Sequence, residues 1–222
     1  MYHYISDPPA DADAVRRDLS VSPVQFEEQL FYLQRAGYTS ISLEDLLRHL
    51  AGGQPLPAKP IILTFDDGYA DGYTYAFPLL RQYGFRGTFF VITGYLDEGR
   101  AGYLTWAQAA EMQAKGMDIE AHSVSHPDLR ALGAESLHAE VWGASQAIAE
   151  HLHKPARFFC YPSGRYNANT IAALKAAGYW GAVTTQAGVS HDSARPFELS
   201  RVRIHGNTDL AGFEALLAHY ME

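Results

Sequence analysis

The sequence predicts an α/β fold: an irregular (β/α)7-8 barrel, a deformed TIM-like barrel of parallel strands, as a single domain over residues 1–222. Three observations carry this. Short apolar runs alternate with capped, amphipathic segments along the whole chain. The connections between successive runs are too long for hairpins, which implies parallel strands joined by helical crossovers. No Gly-x-Gly-x-x-Gly follows a strand, which weighs against an open dinucleotide-binding sheet and leaves about seven or eight units for a closed barrel.

Residues 1–5 read as a short strand, and residues 7–17, rich in Pro and Asp, as a loop. Ser22 and Pro23 are the N-cap and first-turn proline of a helix whose apolar face carries Phe26, Leu30 and Leu33, and Gly37 stops it. Residues 38–41 form a strand, Ser42 caps a helix to Leu50, and Gly52-Gly53 release it. The apolar run 61–65 is a strand buried on both faces, and it ends in Asp66-Asp67-Gly68. A helix follows over 71–83, then a strand over 88–92. Thr105 and Gln108 make a capping box for a helix that Gly116 stops. Residues 117–121 are a strand running into His122, and 134–152 a long helix. Residues 157–161 are a strand ending at Pro162-Ser163-Gly164, Asn167 caps a helix ending before Gly178, 181–185 and 201–204 are strands, and Thr208 caps a last helix.

At 222 residues and 47% hydrophobic, the chain is long enough for one large core. A formal net charge of -8 and a pI near 5.6 argue against nucleic acid as a partner. With Cys160 as the one cysteine no internal disulfide forms, and the thiol reads as a small core residue rather than a nucleophile. No apolar run approaches the ~20 residues of a membrane span, so no partner membrane is crossed by this stretch. Residues 1–4 do not read as a signal peptide; were the protein exported, its targeting segment would lie outside this sequence. Oligomeric state is left open.

The chemistry gathers at three strand ends, where a barrel of this kind carries its working groups. In a regular strand Asp66 and Asp67 would point to opposite sides, and burying either charge alone is costly, so the chain is expected to leave the strand there with Gly68 permitting the unusual backbone. One carboxylate can then bind a cation while the other moves a proton. His122 and His126, four apart, are read as sharing one face of a helical turn and converging on one cation. With Asp67 they make a three-ligand divalent site with positions left for water, the catalytic style of zinc site, for which nickel or cobalt would also serve. Tyr161-Pro162-Ser163-Gly164 ends the third strand. Tyr69, Tyr73 and Trp106 are candidate substrate-stacking aromatics, whereas His138, His151 and His153 read as solvated residues of the long helix.

Thr64-Phe65-Asp66-Asp67-Gly68 and His122-Ser123-x-x-His126 resemble the first two motifs of the polysaccharide deacetylases, carbohydrate esterase family 4 or the NodB-type domain. The likeness covers nearly the whole chain: Met1-Tyr2-His3-Tyr4, residues 85–92, Leu104-Thr105-Trp106 and residues 199–204 also resemble it, in the permuted branch acting on poly-β-1,6-N-acetylglucosamine-type exopolysaccharides. The resemblance implies a metal-dependent hydrolase removing N-acetyl groups from N-acetylglucosamine-containing oligo- or polysaccharide, and an extracytoplasmic location. It implies Asp67, His122 and His126 as metal ligands, Asp66 as general base, the Ser163 backbone N–H as oxyanion donor and His3 as general acid, with Tyr161, Pro162 and Trp106 against the substrate. Two positions depart from the family pattern. Cys160 stands where the family has the arginine that braces the base, for which Arg201 is the candidate substitute with Arg165 behind it; Ser163 stands where an aromatic is usual. His205 follows the strand 201–204 and rivals His3 as general acid. The alternatives are an O-acetyl esterase on xylan-type glycans and an inactive carbohydrate-binding domain, the latter disfavoured because Asp66, Asp67, His122 and His126 are all present.

Overall fold

Side-chain caps set most helix starts, as their sequence signatures require. Ser22, Ser42, Thr105 and Asn167 each accept from the backbone N–H three residues on while that residue's side chain returns to the cap. In the computed structural model, which describes residues 1–221, these caps open α2 (Pro23–Arg35), α3 (Leu43–Leu50), α6 (Trp106–Ala114) and α8 (Ala168–Ala176). The remaining helices are α1 (Ala14–Asp18), α4 (Phe77–Gln82), α5 (Thr93–Asp97), α7 (Ala134–Leu152) and α9 (Leu210–Met221). None of the described helices is long and apolar enough to cross a membrane.

The strands are β1 (Thr39–Ser40), β2 (Pro60–Ile61), β3 (Thr64–Phe65), β4 (Thr88–Val91), β5 (Asp118–Ala121), β6 (Phe158–Cys160) and β7 (Gly181–Val183). β3 to β7 pair in sequence order, all parallel, in one curled sheet, and β1 pairs with β2 outside it. Single bridges extend the curl at both edges: Tyr2 to Phe65 on one side and Leu199 to Val183 on the other. Met1 N donates to the Val202 carbonyl at 2.7 Å, and Ile204 N donates back to Met1 at 3.1 Å. Those two bonds bring the edges together, so the result is the deformed barrel the alternation predicts.

Aromatic rings fill the interior on one side: Phe65 stacks on Phe89 at 4.5 Å and on Tyr2 at 5.5 Å, and Phe26 meets both Tyr2 and Phe65 edge-on. α7 covers the sheet with Leu137, Val141, Ala144, Ile148 and Leu152, one apolar stripe at helical spacing.

Five expectations need correcting. The last helix is capped by Asp209, whose Oδ1 accepts from Gly212 N at 2.8 Å, and not by Thr208. The run 61–65 is two strands, because the chain changes partner from β1 to β4 between Ile61 and Thr64. Residues 7–17 contain the start of α1, capped by Asp13 accepting from Arg16 N at 2.7 Å; five residues are too few for a visible period. The helix over 71–83 begins as a wide turn, Gly72–Ala76, ahead of Pro78, which has no N–H for the ladder. Residues 1–5 and 201–204 pair through isolated bonds rather than ladders.

Glu120 on β5 is buried, at 4% exposed. Its Oε2 accepts from Arg157 N at 2.7 Å and Phe158 N at 2.8 Å, yet burial still pushes its carboxyl up to about 8. A carboxyl whose pKa is raised on folding stabilises fully below its unfolded value, near 4.5, and loses that contribution as pH rises towards 8. Glu120→Gln, isosteric with the protonated acid, is therefore expected to flatten the decline of stability between those limits by on the order of 1 kcal/mol per pH unit. Denaturant midpoints across that range would check it; parallel wild-type and variant curves would refute it.

Candidate active site

β3 delivers two adjacent carboxylates to the barrel mouth and then stops. Asp66 N still donates to the Tyr2 carbonyl at 2.9 Å, but Asp67 and Gly68 turn left-handed, with φ of 71° and 75°. A β-carbon on Gly68 would meet Val91 at 3.1 Å, so glycine is required both for φ and for room. The turn sends the two buried side chains to different partners.

Asp66 meets Arg201. Nη1 donates to Oδ1 at 2.7 Å and Nη2 to Oδ2 at 2.8 Å, a two-pronged grip. Arg201, 7% exposed, also donates to Thr64 Oγ1 at 3.1 Å and to the Thr184 carbonyl at 2.9 Å. Cys160 Sγ lies between them, 3.4 Å from Asp66 Oδ2 and 3.3 Å from Arg201 Nη2. Burial alone would raise the Asp66 carboxyl, but the guanidinium overrides it and holds the group well below the usual carboxylate range. His3 Nε2 stands 3.9 Å from Asp66 Oδ2, and its Nδ1 is buried without a partner among the described residues. Burial lowers the His3 pKa against the pull of Asp66 and Asp67.

Asp67 meets two imidazoles. Oδ1 is 3.1 Å from His122 Nε2 and 3.5 Å from His126 Nε2. The Cys160 carbonyl is 2.7 Å from His122 Nδ1 and can only accept, so Nδ1 carries a proton and Nε2 is the ring atom turned towards Asp67. One donor atom from each of Asp67, His122 and His126 lies within 4.8 Å of the others. The set fits a divalent cation: two imidazoles and one carboxylate, with the Cys160 carbonyl leaving Nε2 as the His122 atom available for ligation. Asp66, His122 and Cys160 form a second such group, but the Arg201 guanidinium already occupies it, and a cation there would be repelled. His122 and His126 do not share a helical turn, contrary to the sequence reading. Ser123 and His126 are left-handed, with φ of 64° and 61°, and the loop brings the rings to a centroid distance of 4.8 Å.

His3, Asp66, Asp67, His122 and His126 line a cavity of about 530 Å³ with Tyr161, Ser163, Thr185 and Arg203. Residues 53–182 match the family described as polysaccharide deacetylase. YxkH of Bacillus subtilis, named for the same family, is 30% identical over 217 residues, covering 98% of this chain and 74% of that protein. The chain belongs to the polysaccharide deacetylase family. The Escherichia coli K12 protein named poly-beta-1,6-N-acetyl-D-glucosamine N-deacetylase is 26% identical over 253 residues, 96% of this chain and 37% of that one. Among solved structures, the Streptococcus pyogenes deacetylase PplD in complex with acetate superposes with a TM-score of 0.90 at 32% identity, covering 100% of this chain and 96% of that chain.

The remaining sequence candidates of this deacetylase divide. Ser163 lines the cavity with φ 53°, and its N–H has no hydrogen-bond acceptor among the described residues. Gly164 beside it could carry no β-carbon, which would fall 2.0 Å from Thr185 Oγ1. Tyr161 lines the cavity too, but is held by its hydroxyl on the Phe197 carbonyl at 3.0 Å and stacks on Tyr166. Pro162 is buried in the same turn. Trp106 lies elsewhere, donating to Asp97 at 2.8 Å and stacking on His151. Arg165 pairs with Asp128 at 3.4 Å, so Arg201 alone of the two candidates reaches Asp66. His205 is exposed and 2.9 Å from Asp18. Sequence reasoning missed part of the cavity lining: Ala14, Val15, Asp18 and Leu19 of and just after α1, and Arg203. The one available signal was Asp13 as a cap.

Proposed function

We propose that this deacetylase is a metal-dependent hydrolase that removes N-acetyl groups from N-acetylglucosamine-containing polysaccharide of the β-1,6-linked type, in an extracytoplasmic compartment. The observation that carries the reading is the division of labour at β3: Asp67 faces two imidazoles while its neighbour Asp66, in the same cavity, is bonded to Arg201 instead. The substrate class rests on the relatives' names. Because the ring runs from residues 1–2 round to 199–204, the whole chain is read as one catalytic unit.

In this reading Asp67, His122 and His126 hold a divalent ion, zinc by the chemistry of the donors. Bound there, the ion would supply positive charge to polarise the acetyl carbonyl and acidify a water. Asp66 accepts the proton that the attacking water gives up. Because Arg201 makes Asp66 a weak base, the proton does not rest there; His3, 3.9 Å away, is placed to receive it. The Ser163 N–H donates to the acetyl oxygen as it gains negative charge. His3 gives the proton to the departing nitrogen as the C–N bond breaks, leaving acetate and a free amine.

Acetate release from β-1,6-linked N-acetylglucosamine oligosaccharides is the test. Turnover should vanish with a chelator and return with zinc. Faster release from acetylated xylan would make the protein an O-acetyl esterase, and chelator-insensitive or absent release from both would refute the hydrolase reading.

A further inference from the structure

His126 sits in a loop held by hydrogen bonds from two sides, and the charged group among its partners is Glu140 on α7. Glu140 Oε2 accepts from the N–H groups of Val124 and Ser125, both at 2.9 Å, and Oε1 accepts from the Ser125 hydroxyl. From the other side, Thr93 N donates to the Ser123 carbonyl at 3.1 Å and Gly94 N to that of Val124 at 2.9 Å. Inside the loop, His126 N donates to Ser123 Oγ at 2.9 Å. Val124 is seated between helices without slack: a β-carbon on Gly94 would lie 2.6 Å from its carbonyl oxygen, and one on Gly143 3.2 Å from its side chain. Left-handed backbone at Ser123 and His126 is unfavourable and persists only where the surroundings impose it. A carboxylate receiving two consecutive N–H groups imposes it strongly, because hydrogen bonds to a charged acceptor are about twice as strong as neutral ones.

His122 needs no such help. Its backbone is fixed by the Val91 carbonyl and its ring by the Cys160 carbonyl. Among the described residues the His126 ring has its approach to Asp67 and the edge of His122, and no hydrogen bond like the one from His122 to the Cys160 carbonyl. From this asymmetry we infer that Glu140 is a positioning residue for the cation site. Its carboxylate holds residues 123–126 in the conformation that turns His126 Nε2 towards Asp67, without touching cation or substrate. The inference rests on the cation site proposed above and deepens it.

Zinc affinity of the purified full chain, measured by competition with a chromophoric chelator and without substrate, tests it. Glu140→Ala is expected to weaken zinc binding by about 10- to 100-fold. Glu140→Gln, which keeps one acceptor oxygen, should recover part of that loss, and Ser125→Ala should give a smaller loss in the same direction. The metal-free melting temperature should move by no more than a few degrees. At saturating zinc, KM should match wild type. The decisive comparison is Glu140→Ala in a His126→Ala background, where no further loss is expected because the residue being positioned is gone. Wild-type affinity in Glu140→Ala, or the same factor of loss with and without His126, would overturn the role of Glu140 alone. A wild-type protein that takes up no zinc would overturn the cation site and this inference together.

Discussion

Asp66→Asn is expected to lower turnover by about a hundredfold to ten-thousandfold at saturating zinc, the range removed with a general base. Zinc affinity should change little, because the donor group that fits a cation is Asp67, His122 and His126, without Asp66. The same substitution should destabilise the fold. Arg201 and Asp66 are 7% and 3% exposed, and removing the carboxylate leaves a buried guanidinium without its counter-charge. Breaking a buried pair from one side costs about 3–5 kcal/mol. Thr64 and Thr184 keep two of the Arg201 hydrogen bonds, which places the expected cost towards the lower end. The pH dependence follows from the depressed Asp66 carboxyl. Its stabilisation is fully present above the ordinary carboxylate range, about pH 4, and fades as pH falls below it. The stability gap between wild type and Asp66→Asn should therefore narrow on acidification. Turnover within tenfold of wild type would remove Asp66 from the base role, whatever the melting temperature did.

The sequence exposes those parts of the site whose constraint is local. Asp66-Asp67-Gly68 is visible because an apolar strand cannot continue into two charges, and the glycine is required by a close approach to Val91. His122 and His126 are visible by spacing, although the geometry that joins them is a left-handed loop and not a helical turn. The spacing led to the right pair for the wrong local reason: any tight loop of five residues can bring its ends together, and periodicity does not distinguish it from a helix. Arg201 was reachable only as a substitute for an arginine missing at Cys160; 135 positions separate it from Asp66, and nothing in either neighbourhood encodes the pairing. Glu140 and the α1 wall were invisible for the same reason. A glutamate on an amphipathic helix looks solvated, and a five-residue helix has no period. The barrel was legible from alternation, yet its closure through Met1, Tyr2 and Leu199 depends on single hydrogen bonds that leave no pattern.

His3→Ala is expected to lose turnover by about a hundredfold to ten-thousandfold with zinc content unchanged, while His205→Ala stays within a few-fold of wild type. Both histidines sit near a strand end, but their surroundings differ. His3 has an 11% exposed side chain, lines the cavity and stands 3.9 Å from Asp66; His205 is 48% exposed and bound to Asp18. Burial lowers the His3 pKa, so at neutral pH the ring is mostly unprotonated before turnover and must acquire the proton it later donates. Asp66 is the neighbouring source, and Arg201 makes it a strong acid once protonated. If Asp66 and His3 pass one proton in series, removing either breaks the same path. The double variant Asp66→Asn with His3→Ala should then be about as slow as the worse single variant, since residues that act as a unit do not add. Measured kcat values for the two single variants and the double variant, all at saturating zinc, decide this. Losses that multiply would mean that His3 draws its proton from solvent and acts in a step separate from Asp66. A His3→Ala enzyme of full activity, with His205→Ala impaired, would transfer the acid role to the residue on Asp18.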